Sequence, residues 1–294
     1  MEANSHQVSK NQDTSKLEII TPLFYRFNFT RAIQIAMAKF NKLAGKHVLV
    51  IGGSSGIGRG VVEGSIESGA RVTLSGSSPQ SAAAALSAIK SSYPDAQVAG
   101  IPCDLSKDSM EEDLEALFGE AEKVQPIDHV VLTAADPLLI SDVQDITLDK
   151  IRRVARFRME LPLVLGKVAA RHLARSNGCS LTISTGGIAD RPSPQWSIMA
   201  FVAAGITGLT RNLAVDLKPL RVNAVEPGFV NTGLWASTGL TREQVATQVK
   251  AVAEKVPTGR AAEVEDVAEA YVYLMKDRNA TGEIVKTRSG ANLV

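Results

Sequence analysis

The stretch Ile51-Gly52-Gly53-Ser54-Ser55-Gly56-Ile57-Gly58 decides the fold. It follows the apolar run His47-Val48-Leu49-Val50 and leads straight into a helical pattern over residues 57–68. Gly52, Gly56 and Gly58 let the backbone turn tightly and approach a pyrophosphate. The free N–H groups of the helix start, from Ser54, Ser55 and Ile57, then favour its negative charge. A glycine pattern alone is a weak signal. A strand before it and a helix after it, at the start of a domain-sized sequence, give it weight.

Outward from that turn, short β-rich runs alternate with helical stretches. Strands are expected at residues 47–51, 71–74, 97–101, 129–133, 180–185, 221–225 and 283–287. Helices are expected at 57–68, 81–90, 111–123, 148–175, 197–217 and 264–276. Runs such as HVLVI and HVVLT are apolar without alternation, as a parallel sheet covered on both faces requires. The fold class is therefore α/β, a doubly wound seven-stranded parallel sheet with helices on both faces. One domain spans 43–294 after an amino-terminal extension over 1–42. In that extension Met1 to Lys16 is polar and reads as disordered. Leu17 to Phe40, with Phe24, Tyr25, Phe27 and Phe29, reads equally as a docked arm or a loose tail.

The 294 residues are 45% hydrophobic and carry a formal net charge of +1. That balance argues against nucleic acid or an anionic membrane as a partner. Two cysteines, Cys103 and Cys179, are too few for a disulfide framework and read as buried small hydrophobes of a reducing, cytoplasmic setting. The four histidines lack metal-ligand spacing, so no metal is expected. No apolar run reaches the roughly 18 residues a bilayer span needs, so no membrane span is expected.

The spacing Gly-x-x-x-Gly-Ile-Gly resembles the short-chain dehydrogenase/reductase family, a Rossmann-type family, and the resemblance runs from about Leu43 to the end. Asp104-Leu105 is similar to the family's pair at adenine. Thr133-Ala134-Ala135-Asp136 stands where the family has Asn-Asn-Ala-Gly. Arg221-Val222-Asn223-Ala224-Val225-Glu226-Pro227-Gly228 resembles its sixth strand. The resemblance implies that Pro227, Gly228, Val230 and Thr232 border the nicotinamide, with Thr232 on the carboxamide. A carboxylate after the second strand would bond a ribose hydroxyl and repel a 2′-phosphate. Ser75, Ser77 and Ser78 stand there with no acid, and Arg59 offers a counter-charge, which favours NADP(H) over NAD.

The family's proton transfer rests on Tyr-x-x-x-Lys, one helix turn apart on one face. Registering Gly205-Ile206-Thr207-Gly208-Leu209-Thr210-Arg211 on the family pattern puts Met199 at the tyrosine and Ala203 at the lysine. The family's serine falls at Thr185, or at Ser184 with a one-residue shift, and its helix asparagine at Arg158. Asp190-Arg191-Pro192-Ser193-Pro194-Gln195-Trp196, Arg158 and the 133–136 turn together resemble an atypical branch. It includes fungal secondary-metabolism reductases and bifunctional reductase/Diels–Alderases. The resemblance implies hydride delivery from NADPH to a cationic iminium-type substrate. That branch carries an acid in the loop where this chain has Ser193.

Carbonyl reduction builds negative charge on oxygen and needs a positioned acid. An iminium is already positive, so hydride addition neutralises it and no acid is required. Asp190 and Asp136 are candidates for a substituted acid; Asp136 alternatively finishes its turn. Arg158 reads as a donor to substrate or cofactor, or as an ion-pair partner of Glu160 or Asp136. Trp196 reads as the wall of an apolar pocket or as packing at a helix start. Thr185 reads as a substrate donor or a strand end, and Met199 as pocket lining. Residues 234–257, with Trp235, Leu240, Val245 and Val249, read as a mobile cap over a bulky apolar substrate. The family resemblance implies a homodimer or homotetramer through helices 148–175 and 197–217. Three functions stay open: an atypical NADPH-dependent reductase, a cyclase or isomerase using the fold as a shaped pocket, and an NADP(H) sensor.

Overall fold

A computed structural model describes residues 39–294. The expected extension over 1–42 therefore lies outside the described residues, apart from its final turn. Seven strands form one parallel sheet in the order β3-β2-β1-β4-β5-β6-β7. They are β1 His47–Ile51, β2 Arg71–Gly76, β3 Val98–Pro102, β4 His129–Leu132, β5 Ser180–Ser184, β6 Arg221–Pro227 and β7 Ile284–Thr287. Val50 on β1 sits level with Leu74 on β2 and Val131 on β4. The order reverses between β1 and β4, and the crevice at that switch point is where such sheets bind ligands.

Helices cover both faces, as the unbroken apolar strands required. Helices α1 (Gly56–Glu67), α2 (Pro79–Ser92) and α8 (Val264–Lys276) enclose one core around Val50, Leu74, Val131 and Tyr271. On the other face α3 (Met110–Glu122), α5 (Leu161–His172) and α6 (Ser197–Asp216) enclose Leu49, Phe118, Leu165 and Leu181. A smaller apolar cluster of Leu139, Val154, Ile198, Met199 and Val202 lies beside the second core.

Three expectations need correction. The long helix expected over 148–175 is broken into α4 (Leu148–Ala155), a π-helical turn at Arg156–Glu160, and α5. Pro162 explains the break: it has no N–H for the carbonyl of Arg158, and its ring crowds that carbonyl. The stretch 234–257 contains a helix, α7 (Arg242–Lys255), announced by the capping box of Thr241 and Gln244. None of its residues is buried. Finally, α6 is long and apolar enough, by length and composition, to cross a membrane. It packs on the sheet instead, burying Ile198, Val202 and Ile206.

Candidate functional site

The site starts where β1 and β4 part. Thr133 donates its hydroxyl to the carbonyls of Ile51 and Gly52, at 3.1 and 3.2 Å. The Ala134 N–H donates to Ile51 at 2.9 Å. A Cβ on Gly52 would fall 2.4 Å from the Ala134 nitrogen, and φ there is +88°. A Cβ on Gly58 would fall 2.2 Å from the Gly52 carbonyl oxygen. Both positions thus admit glycine only. Ser75 is buried and accepts the Gly52 N–H at 3.3 Å, so it supports the loop from beneath. Ser55 starts α1 without capping it, which leaves first-turn N–H groups for an anion. A Cβ on Gly56 would point at Thr232, 3.8 Å away, with nothing nearer. The glycine loop and the segment after β6 therefore face each other across an open cradle, which fits a dinucleotide.

At the far end of that cradle, Ser77 is exposed and Ser78 caps α2, accepting the Ser81 N–H at 3.1 Å. Asp104 accepts from the Ser106 hydroxyl and N–H at 2.6 and 3.1 Å, bonds that hold its carboxyl below the usual range. Leu105 is buried behind it. Ser77, Ser78, Asp104 and Lys107 line a cavity of 470 Å³. Arg59 pairs with Glu63 at 3.0 Å, so its charge is already matched. Lys107, 3.5 Å from Asp104, is a second cation there, and nothing in its local sequence pattern sets it apart.

Near the 133–136 turn, the π-helical turn carries Arg158, and such turns are frequent at functional sites. Its Nε lies 3.0 Å from Asp136 Oδ1, and its Nη2 donates to the Asp136 carbonyl at 2.8 Å. Burial pushes the Asp136 carboxyl up and the guanidinium down, each opposed by the other's charge. Of the two alternatives at sequence level, the ion pair with Asp136 is the one formed. The pair is thus joined at two points, through Nε to the carboxylate and through Nη2 to the main chain.

Thr185 donates its hydroxyl to the Ala203 carbonyl at 2.9 Å, tying β5 to α6 rather than offering a proton. Met199 is buried in the small apolar cluster, and Trp196, half-buried, packs against it. Asp190 is not placed as an acid. Lys286 and Arg288 hold it at 2.5 and 2.7 Å, bonds that keep its carboxyl below the usual range and ionised. Pro227 and Gly228 close this side, and Val230 is buried against Ala262. Trp235, expected to face substrate, instead stacks on Phe229 at 4.5 Å and donates to the Val230 carbonyl. Among the described residues no group of histidines, cysteines and carboxylates could hold a metal.

Sequence reasoning missed Glu226 and Arg288, which form a buried ion pair behind Gly228. A signal existed: β6 and β7 each carry a charge one residue before their last, and those two residues, Glu226 and Lys286, pair in register.

Residues 39–294 match the family model described as an SDR-like Rossmann domain. The chain is 42% identical over 259 residues to short-chain dehydrogenase/reductase fsr5 of Gibberella fujikuroi, covering 86% of this chain and 97% of that protein. It is 38% identical over 253 residues to malC of Malbranchea aurantiaca, covering 84% and 95%. The solved structure of the MalC reductase/Diels-Alderase superimposes with a TM-score of 0.81 over 86% of this chain and 99% of that one. The glycine cradle thus sits in a family whose fold binds a nicotinamide dinucleotide, and the chain belongs to the short-chain dehydrogenase/reductases, an oxidoreductase family.

Proposed function

We propose that the protein is an atypical NADPH-dependent reductase of specialised metabolism. Its acceptor is an iminium, or an activated alkene or carbonyl, reduced without the tyrosine acid of its relatives. One observation carries this reading. Helix α6, SIMAFVAAGITGLTRNLAVD, contains neither tyrosine nor lysine, and Met199 and Ala203 are 3% and 6% exposed. Neither side chain exchanges a proton, which rules against ordinary ketone chemistry and suits a cation.

A bound nicotinamide dinucleotide supplies hydride. Gly52, Ser54, Gly56, Ile57, Gly58, Ala134 and Thr232 would hold it, with Ser77, Asp104 and Lys107 at its adenosine end. The absence of an acid after β2 supports NADP over NAD. The Arg158–Asp136 pair offers a cationic acceptor no net charge while keeping a carboxylate beside it. Trp196 and the cluster around Met199 supply the apolar wall a bulky substrate needs.

Leu163, Phe201 and Val215 on α5 and α6 are 53%, 70% and 64% exposed, which supports a homodimer or homotetramer through these helices. The two free, buried cysteines fit a cytoplasmic setting. A cyclase activity is the second reading, favoured by the 38% identity to a protein described as a reductase/Diels-Alderase.

The test is single-turnover transfer from 4-deuterated NADPH to a cyclic iminium, an enone and a ketone. Deuterium in the iminium or enone product, with the ketone inert, is expected. NADPH binding without transfer to any of them overturns the reductase and leaves the cyclase or sensor. Ready ketone reduction overturns the assignment of Met199 and Ala203.

A further inference from the structure

The loop between β5 and α6 is tied down by residues far away in sequence. At its start, the Asp190 carboxylate is held by Arg288 at 2.7 Å and Lys286 at 2.5 Å. The same Arg288 Nη2 also meets the Glu226 carboxylate, and both residues are nearly inaccessible, with side chains 4% and 1% exposed. Next along the loop, Arg191 donates to the carbonyls of Ala291 and Val294. At the far end the Gln195 carbonyl accepts from the Ser141 N–H at 2.9 Å, and its side chain donates to Asp142 at 3.1 Å. The span between these anchors, Pro192-Ser193-Pro194, is exposed and leads into Trp196.

Arg288 also touches the segment after β6. A Cβ on Gly228 would lie 2.9 Å from Arg288 Cα, and one on Gly187 would lie 3.5 Å from Arg288 Cδ. Arg288 thus stands between the loop that carries Trp196 and the Pro227–Gly228 turn.

We propose that Glu226–Arg288–Asp190, with Arg191 on the carbonyls of 291 and 294, latches the 190–196 loop in place. Arg288 and Asp190 are then positioning residues for the acceptor and not for the dinucleotide. The inference rests on the reading above that this loop faces the acceptor. It also assigns Asp190 a role other than proton donor.

The test uses full-length protein carrying Trp235→Phe, so that Trp196 is the sole tryptophan. Into it go Asp190→Asn, Arg191→Lys and Arg288→Lys. Asp190→Asn leaves the buried Glu226–Arg288 pair intact, so it keeps the test alive if Arg288→Lys folds poorly. Readouts are hydrogen exchange over 186–196, Trp196 emission, NADPH affinity, and steady-state kinetics with an N-alkylated cyclic iminium. Expected are faster exchange in the loop, shifted Trp196 emission and unchanged NADPH affinity. KM for the iminium should rise about tenfold with little change in kcat, because a loosened loop misplaces the acceptor. Unchanged exchange and emission in Asp190→Asn overturn the latch. A loosened loop with unchanged KM keeps the latch but overturns its role at the acceptor, and with it the placing of this loop. Loss of kcat in Asp190→Asn but not in Arg191→Lys overturns the positioning role and makes Asp190 an acid.

Discussion

The two halves of the cleft are held in different ways. The dinucleotide half is fixed by backbone: Thr133, Ala134 and Ser75 bond the main chain of Ile51 and Gly52, and Gly52 and Gly58 fit where no Cβ can. The half proposed to take the acceptor is fixed by charged side chains: Arg158 with Asp136, and Arg288 with Asp190 and Glu226. Backbone constraints tolerate almost no substitution. Ion pairs can be exchanged for other packing when both partners change together. A fold that keeps its cofactor while varying its acceptor is built most economically this way.

That contrast can be broken from either side. The largest effect is expected from Gly58→Ala, whose Cβ would meet backbone rather than a movable side chain. NADPH affinity, followed by fluorescence titration, should fall by about a hundredfold or more, roughly 3 kcal/mol. Undiminished binding would show that the loop is not rigidly held. On the acceptor side, Arg158→Met strands the Asp136 carboxylate and should cost about 3 kcal/mol in urea unfolding. Adding Asp136→Asn should restore most of that loss. A double variant no more stable than the single would mean the pair is uncoupled.

The smallest effect concerns His172 on α5, which bonds Glu115 and Glu122 of α3 and so links the two halves at 2.7 and 3.0 Å. Burial alone would lower its pKa, but the two carboxylates outweigh it and raise it above 6.5. A raised folded pKa gives stability that is fully present below the unfolded value and is lost as pH rises through the folded one. Wild type should therefore lose under about 1 kcal/mol relative to His172→Gln as pH rises above that value. An identical pH slope in both proteins would remove the link between the halves.

Much of this was readable in the chain. The glycine turn, the seven strands and the helices on both faces follow from local signals: apolar runs, strand and helix periods, and steric demands of single residues. The strands differ from expectation only by one or two residues at their ends. The break before α5 was readable too, in Pro162, but only by counting back four residues to Arg158. Helix α7 was announced by Thr241 and Gln244.

What sequence alone determined is thus the strands, the helices that cover them and the glycine turn, because each depends on residues adjacent in the chain or on patterns of fixed period. It also shows directly that α6 holds neither tyrosine nor lysine. Tertiary structure alone decided the partners of the charges. Asp190 meets Arg288 across 98 positions, Arg158 meets Asp136 across 22, and Trp235 turns to Phe229. Charge attracts any opposite charge within reach, so a sequence leaves many pairings open, and only the packed sheet and its loops fix which partners stand within 3 Å.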